Sequence, residues 1–404
     1  MKRVVITGLG VISALGNGLD ALMQGISSAE SAVRRMDGWE KYKGLASIVG
    51  APVCLENINA IPRQKRRSMG RMSIMAVQAA DEALTDAGLT DIVCTDTGCI
   101  IGSTMGGAEA LNETFETMLP DHDLSQLTSM KFFQCVSHTA AMNVAQYLGI
   151  KGVVMATSAA CASSLQAIGT GADLIRSGRQ NIVLCGGSEE LHPTVTGSFD
   201  ILFATSTAYN NDPQCTPRPF DVKRDGLVCG EGCGIAVLEE YEHAKARGAV
   251  IYGEIVGYNT CGSGYHVSQS NKDAMIQCLG AALAEAGICA ADVDFISAHA
   301  TATVHGDAQE VAAIAEVFGD KVPVSSLKGY IGHTLGASGA IELAASLRMM
   351  RDGRIFPTLN LDEISPDCSG IMHVRNVLEK NINVIVKNCF AFGGINASLV
   401  VRRV

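Results

Sequence analysis

One pattern occurs twice in this chain and restricts its fold more than any other sequence feature. A short apolar run, 152–156, leads into a turn of small residues around Cys161 and then into a helix-compatible segment, 163–176. The same order recurs where the apolar run 322–325 leads to a turn and to a predicted helix that opens at His333. A repeated supersecondary unit predicts two similar α/β halves, packed face to face, with both turns at one shared site.

The remaining segments alternate in the same way. Apolar runs bounded by turn residues predict strands, and apolar residues at helical spacing predict helices. The run 152–156 is predicted to be a buried strand, and further strands are predicted at 3–8, 96–103, 181–185, 235–238, 249–258, 294–298, 322–325, 383–389 and 397–402. Helices are predicted at 19–28, 73–87, 163–176, 271–287 and from 333 to about 350. We therefore predict an α/β protein with two units, 1–248 carrying Cys161 and 249–404 carrying two candidate catalytic histidines.

Charge and cysteine usage exclude several classes. The 404 residues carry a formal net charge of −10, which argues against a nucleic-acid-binding protein with its basic face. No apolar run reaches the length of a transmembrane helix. The 14 cysteines are scattered and form no Cys-x-x-Cys pair, so we expect reduced thiols in a cytoplasmic protein.

Cys161 is the candidate nucleophile. Its Ala and Ser neighbours leave room for a substrate beside the sulfur, and the following helix places its positive dipole end there. That end favours the thiolate, so we expect a lowered thiol pKa. The alternative is a buried structural cysteine in a packing seam of small residues.

Two histidines and a lysine follow predicted strand ends in the second half, where catalytic groups of α/β proteins emerge. His299 follows one strand, and Lys328 and His333 follow another. Glu310 and Asp307 could orient the lysine or a histidine, or could simply begin a surface helix. Either histidine could instead be structural, and no third ligand lies at metal spacing, so no metal site is predicted.

A basic cluster stands out on this acidic chain. It comprises Arg63, Lys65, Arg66 and Arg67 and immediately precedes a predicted helix. On its own it predicts a solvated helix start.

Six motifs together resemble the β-ketoacyl-acyl-carrier-protein synthases, the condensing enzymes of the thiolase-fold superfamily. The motifs lie at residues 5–10, in the Ala-Cys-Ala around Cys161, and at 218–226, 297–303, 332–339 and 388–396. The pair Glu189-Glu190 and the segment 206–210 are most similar to the elongating type I branch. The resemblance covers essentially the whole chain and implies a thiolase-like duplicated five-layer α-β-α-β-α fold.

The resemblance also implies roles for the catalytic residues. Cys161 would take the acyl chain from the carrier protein as a thioester. His299 and His333 would bind the malonyl thioester and assist its decarboxylation, after which the enolate attacks the acyl-cysteine. Lys328 would order the site electrostatically, with Glu310 as its expected partner and Asp307 in support.

Further roles concern substrates and partners. The backbone N–H groups of Cys161 and Phe392 would form the oxyanion hole. The remaining substrate-binding residues would be Thr301 and Thr303 on the pantetheine arm, Met105 as the gate of the acyl pocket, and Phe390. The basic cluster of Arg63, Lys65, Arg66 and Arg67 would then meet an acidic acyl carrier protein. No cofactor is implied, because the phosphopantetheine arm carries the substrates, and the chain would pair with itself or with a chain-length-factor homologue.

Three positions depart from the family pattern. Ala300 and Ala391 replace glycines, and Ile395 replaces a threonine, so we expect the gating loop to open differently. These departures leave open a type II polyketide or polyene ketosynthase, in which this chain would be the catalytic member because it retains Cys161. A degradative thiolase is the alternative from another class, with Cys389 as its only candidate second cysteine.

Overall fold

A computed structural model describes residues 1–89, 96–119 and 121–404 as a mixed α/β protein. Its strands are β1 Val4–Ser13, β2 Gly16–Asn17, β3 Arg34–Arg35, β4 Val49–Gly50, β5 Thr97–Gly102, β6 Val154–Met155, β7 Ile182–Glu189, β8 Gly232–Glu240, β9 Gly253–Gly262, β10 Phe295–Ser297, β11 Pro323–Ser325, β12 Arg354–Ile355, β13 Met372–His373, β14 Leu378–Glu379, β15 Val384–Ala391 and β16 Ile395–Arg402. Its α-helices are α1 Leu19–Ser27, α2 Arg63–Arg66, α3 Arg71–Asp86, α4 Ala108–Met118, α5 Ser129–Cys135, α6 Thr139–Leu148, α7 Ser163–Arg176, α8 Pro193–Asp200, α9 Tyr241–Ala246, α10 Lys272–Ala286, α11 Val304–Phe318, α12 Lys328–Ile331 and α13 Ser338–Asp352.

The main strands confirm the internal duplication. The first half runs across the sheet in the order β1-β8-β7-β5-β6, and the second half in the order β9-β16-β15-β10-β11. Counted along the chain within each half, both orders are first, fifth, fourth, second, third. In each half, the first three strands of this order pair antiparallel with one another, and the remaining two pairings are parallel. Pairing of β1 with β9 joins the halves edge to edge.

The helices complete five layers. Helices α7 and α13 contact each other and strands of both halves, so they form the central layer. Helices α3 and α6 cover the outer face of the first half. Helices α10 and α11 pack together over that of the second half and share a hydrophobic core with its strands. The predicted α-β-α-β-α fold is therefore confirmed. The predicted boundary between residues 248 and 249 lies between α9 and β9, and we propose it as the division of the chain.

Glycines let the two halves approach closely beside the central helices. A Cβ atom on Gly187 of β7 would lie 2.3 Å from the carbonyl oxygen of Gly336. A Cβ atom on Gly339 of α13 would lie 2.8 Å from Oγ of Ser164 on α7. Both distances are shorter than any ordinary carbon–oxygen contact. Small residues at these positions are therefore required to bring the turns before α7 and α13 together.

Two local predictions are wrong. The run 152–156 is not a buried strand, because only β6 forms there and it lies at the edge of the sheet, where Val154 and Met155 are about two-fifths exposed. The second-half helix does not open at His333 but at Ser338, because residues 335–337 form a 3-10 turn with Leu335 at φ 47°. His333 therefore lies in an extended loop rather than at a helix start.

Candidate active site

Cys161 lies in a tight turn just before α7. Ala160 has a left-handed backbone (φ 48°), which turns the chain sharply into the helix. The hydroxyl of Ser163 stabilises this turn by donating to the Ala160 carbonyl at 2.6 Å. A non-glycine residue in this conformation costs on the order of 1 kcal/mol, a strain typical of functional sites. The turn leaves the Cys161 side chain only 2% exposed and facing the second half of the molecule.

His333 reaches the sulfur from the second half. Its loop is held against residues 228–230, since the His333 N–H donates to Val228 O at 2.7 Å and the Gly230 N–H donates to His333 O at 2.9 Å. Nε2 of His333 lies 2.9 Å from Sγ of Cys161. This distance is short enough for direct transfer of the thiol proton.

His299 completes the cluster. Its ring lies 5.1 Å from that of His333, centroid to centroid, at an interplanar angle of 81°. One nitrogen of each ring and Sγ of Cys161 all lie within 4.8 Å of one another. Neither Nδ1 atom has a hydrogen-bond partner within the described residues, so the tautomer of His333 depends on its Nε2 contact with the Cys161 thiol. The structure thus brings the predicted nucleophile and both histidines together.

The resemblance implied that Glu310 would pair with Lys328, but the structure gives Glu310 different partners. Its carboxylate accepts from the backbone N–H groups of His299 and Ala300, at 2.8 and 2.6 Å. Glu310 therefore fixes the backbone that carries His299.

Lys328 pairs instead with Glu342 on α13, with 2.7 Å between Nζ and Oε1. The second carboxylate oxygen of Glu342 lies 2.6 Å from Nζ of Lys387 on β15. All three side chains are buried. Sequence reasoning missed Glu342 and Lys387. Each is a charged residue within an otherwise apolar segment, which could have identified it as a buried functional group.

Burial decides the protonation of the cluster. It raises the pKa of the Cys161 thiol, an effect that Cys389 reinforces and that the charge of Lys328 only partly opposes. Burial, together with Lys328 and Lys387, lowers the pKa of both His299 and His333 well below the usual range. The expectation of a lowered thiol pKa is therefore wrong, because burial of the sulfur disfavours its charged form. The resting cluster is a neutral thiol beside two neutral imidazoles.

The same three side chains could hold a metal ion. Spacing along the chain gave the two histidines no third ligand. In the folded structure Cys161 lies close enough to both to be that third ligand. A thiolate and two imidazoles suit zinc. They are also the nucleophile and proton-transfer groups of the cluster, and the absence of a metal stays a prediction.

A narrow cavity leads to Cys161. Among the candidate residues it is lined by His299, His333, Thr301, Thr303, Asp307, Glu310, Phe390 and Phe392. The hydroxyls of Thr301 and Thr303 lie 3.2 Å apart, on either side of Ala302, whose φ is 69°. Asp307 holds this turn by accepting from the N–H groups of Ala302 and Phe220. The two hydroxyls are thus placed together on one side of the cavity.

Met105 lies apart from this cavity. Its side chain is 44% exposed in the single chain, and it is not among the cavity-lining residues. Glu189 fixes its turn, accepting from Thr104 N at 2.6 Å and, across the two halves, from Gly336 N at 3.0 Å. Its role as a gate stays a prediction.

The basic cluster lies on helix α2 and on Arg67, which directly follows it, away from the cavity. Arg66 donates to the carbonyl of Ile58, and Lys65 donates to the carbonyl of Tyr147, so both are tied to their own chain. Arg63 and Arg67 are exposed. The docking role of the cluster stays a prediction.

The departures from the family pattern fit the backbone without strain. Neither Ala300 nor Ala391 has a positive φ, so neither position requires glycine here. Ala391 and Ile395 pair with each other at the ends of β15 and β16. They close a hairpin whose turn is Phe392 followed by two glycines with φ of 89° and 70°. Phe392 therefore lies at the tip of this turn, beside the cavity.

Comparison with known proteins gives a consistent family match. The model of the β-ketoacyl synthase N-terminal domain matches residues 1–244, and that of the C-terminal domain matches residues 252–362. The chain is 35% identical over 409 residues to 3-oxoacyl-[acyl-carrier-protein] synthase 1 of Escherichia coli K12, covering 100% of this chain and 99% of that protein.

Solved structures agree with the sequence matches. A β-ketoacyl synthase from Burkholderia phymatum superposes with a TM-score of 0.97 at 44% identity, covering 100% of both chains. A type II polyketide ketosynthase bound to its acyl carrier protein and a hexaketide, AntDE:AntF, superposes with a TM-score of 0.91 at 32% identity. That match covers 100% of this chain and 99% of the other.

Proposed function

The chain belongs to the β-ketoacyl synthase family, and we propose that Cys161, His299 and His333 carry its decarboxylative condensation. The protein is an acyltransferase that joins malonyl-carrier to a cysteine-bound acyl chain, giving β-ketoacyl-carrier in fatty-acid or type II polyketide elongation. The 2.9 Å contact between Sγ of Cys161 and Nε2 of His333 carries the assignment of residues. It unites a nucleophile from one half with a base from the other.

The first step loads the primer. Sγ of Cys161 attacks the carbonyl carbon of the acyl thioester while its proton passes to Nε2 of His333. The carbonyl electrons move onto oxygen, and their return expels the carrier thiolate, which takes the proton back from His333. We propose that the backbone N–H groups of Cys161 and Phe392 stabilise this oxyanion. Because the resting groups are neutral, no separate deprotonation precedes the attack.

The second step forms the new carbon–carbon bond. Loss of carbon dioxide from malonyl-carrier leaves its bonding electrons in an enolate. The enolate oxygen accepts a hydrogen bond from Nε2–H of His299 and, once the proton of His333 has exchanged from Nδ1 to Nε2, a second one from Nε2–H of His333. The enolate carbon attacks the acyl-cysteine, and the carbon–sulfur bond breaks. The released thiolate takes a proton from solvent through His333. Lys328, held by Glu342, supplies positive charge beside both anionic stages.

Substrates arrive on an acyl carrier protein, as its complex with the related ketosynthase supports. We propose that the phosphopantetheine arm enters the cavity past Thr301 and Thr303, that Phe390 and Phe392 line its end, and that α2 meets the carrier. Nucleophile, base and oxyanion donors all belong to the chain, which supports a reaction without a cofactor.

We also propose that a subunit of the same fold, either a second copy or a chain-length-factor homologue, covers the exposed edge strand β6 and Met105.

The cysteines of the described part of the chain are all free, which supports a cytoplasmic protein. Within the described residues, no helix combines the length and apolar composition needed to cross a membrane.

A thiolase mechanism finds less support. It would require Cys389 to reach substrate, yet Cys389 is fully buried in β15 and does not line the cavity.

The test separates the nucleophile from the histidines. Cys161→Ala should abolish primer acylation and condensation but retain malonyl-carrier decarboxylation, which needs no sulfur. His333→Ala should still accept primer slowly but lose decarboxylation by on the order of 10²–10³-fold, the cost of an oxyanion donor. Labelled primer reports acylation, and labelled carbon dioxide reports decarboxylation.

Cys54→Ala, at an exposed cysteine, is the matched control and should behave as wild type. Loss of both activities in folded Cys161→Ala would refute this division of roles. Acylation persisting in Cys161→Ala would show that another cysteine is the nucleophile.

A further inference from the structure

Lys387 is a buried lysine that the mechanism above does not use. It lies on β15 with no exposed surface. Its ammonium nitrogen is surrounded by four oxygens: Oε2 of Glu342 at 2.6 Å and the carbonyls of Asn388, Ser297 and Ala298 at 2.7, 3.3 and 3.4 Å. A buried charge is retained only where such partners replace water, so this lysine is built into the structure as a cation.

Two of these carbonyls belong to the strand end that carries His299. Ser297 pairs in register with Lys387 in the parallel β10–β15 ladder, and Ala298 directly precedes His299. Glu310 holds the N–H groups of His299 and Ala300 from the other direction. The backbone around His299 is therefore held by a cation on its carbonyl side and by a carboxylate on its N–H side.

Lys387 also sets the charge balance beside the cluster. Lys328 and Lys387 share one carboxylate, Glu342, so the three ionised side chains carry one surplus positive charge. The other ionisable groups around the histidines come from several elements: Cys161 before α7, Glu189 on β7, Asp307 and Glu310 on α11, and Cys389 on β15. Without Lys387, the surplus would vanish.

We propose that Lys387 is a positioning residue of the condensation, which anchors the strand end carrying His299 and supplies the surplus positive charge beside both histidines. The inference rests on the proposed roles of His299 and His333. Consistent with it, Lys387 stands among the charges that lower the pKa of both imidazoles, after burial and Lys328. Nε2 of His333 can accept the Cys161 proton during loading only while the imidazole is neutral, so the charge keeps the cluster ready at acidic pH.

The test is the pH profile of β-ketoacyl-carrier formation in Lys387→Met, which keeps the chain length and removes the charge. Removing a positive neighbour raises a histidine pKa, so the acidic limb of kcat should move up by about one pH unit. The maximal kcat should fall about 10-fold, while KM for malonyl-carrier stays within about twofold, because substrate binding does not involve Lys387. Lys321→Met, at an exposed lysine, should match wild type.

A double variant distinguishes charge from packing. Lys387→Met with Glu342→Gln leaves Lys328 as the one ionised member and restores the surplus of one positive charge. Its acidic limb should return towards the wild-type pH although both side chains are altered. If the acidic limb of the double variant remains at the same pH as that of Lys387→Met, the electrostatic part of the proposal is contradicted.

Chemical rescue tests the anchoring part. Lys387→Ala leaves space for a small ammonium ion, so ethylammonium chloride should raise kcat at least about fivefold. Tetramethylammonium chloride at the same ionic strength should not, since it donates no hydrogen bond. Equal effects of the two salts would contradict the anchoring role, and failure of both single variants to fold would reassign Lys387 to core stability alone.

The controls separate this inference from the proposed function. No β-ketoacyl-carrier formation by wild type and Lys321→Met would overturn the proposed function itself. Normal activity in both, with an unshifted profile in folded Lys387→Met, would overturn the role of Lys387 alone.

Discussion

The carboxyl groups around the cavity, like the thiol and the imidazoles, are shifted towards their neutral forms by burial. Burial raises the pKa of Asp307 to about 7, although Phe220 N and Ala302 N donate to its carboxylate. Burial likewise raises the pKa of Glu310 and of Glu189. The turns that shape the site are thus held by acids whose ionisation opposes folding.

This arrangement predicts a pH-dependent stability. The pKa of Asp307 is raised in the folded state from an ordinary value of 3.8 to about 7, so the folded chain binds the proton more tightly than the unfolded chain. The contribution of Asp307 to stability is therefore full below about pH 4 and is lost as pH rises towards 7. Three pKa units correspond to about 4 kcal/mol of unfolding free energy.

Urea unfolding of wild type and Asp307→Asn from about pH 4 to pH 8 measures this loss. The wild type should lose stability relative to Asp307→Asn over that range, whatever the constant offset that the substitution adds. A pH-independent difference would show that Asp307 ionises normally in the folded chain.

At the level of elements, the short helix α2 and the residue that follows it present two exposed arginines. Arg63 and Arg67 are exposed, whereas Arg66 donates to Ile58 O and Asn59 Oδ1 of its own chain. Charge reversal at Arg66 would therefore also disturb the fold, and Arg63 and Arg67 test docking more cleanly.

We expect Arg63→Glu with Arg67→Glu to raise KM for malonyl-carrier about tenfold at low salt, because peripheral charges mainly steer association. The effect should shrink as salt screens the charges, and kcat with a small thioester mimic should stay unchanged. Lys321→Glu is the matched charge control. Similar losses with both substrates, or with the control, would remove the docking role.

For the whole molecule, the sheet ends in an unpaired edge. Among the residues that the structure describes, strand β6 pairs with β5 on one side only. Its residues Val154 and Met155 are 43% and 42% exposed. Phe115 of α4 and Phe132 of α5 are also exposed. Unpaired edges with apolar side chains favour strand pairing with another subunit.

Met155→Lys should therefore weaken subunit association, because a charge on the edge opposes pairing. Native mass measurement should show a dimer for wild type and mainly monomer for the variant. Val250→Lys, at an exposed apolar residue elsewhere, should leave the mass unchanged. A wild-type monomer that dimerises only with a co-expressed homologue would identify a heterodimer, and a Met155→Lys dimer would exclude this edge as the interface.

The sequence alone determined the features that depend on neighbouring residues. Periodicity located α7 at Ser163–Arg176 and came within two residues of both ends of α3 and α10, because helical side chains interact over three to four positions. Repetition of strand, turn and helix determined the duplicated fold. The small-residue turn and the strand ends identified Cys161, His299 and His333 as the candidate nucleophile and bases.

Tertiary structure alone decided which side chains meet and which groups are neutral. Lys328 pairs with Glu342 rather than Glu310, and Lys387 joins them, because strands and helices far apart in the chain converge there. Desolvation raised the thiol pKa of Cys161, whereas the sequence had predicted a lowered one. The exposure of β6 follows from its place at the end of the sheet order. Each outcome depends on distances through space and exclusion of water, which spacing along a chain does not specify.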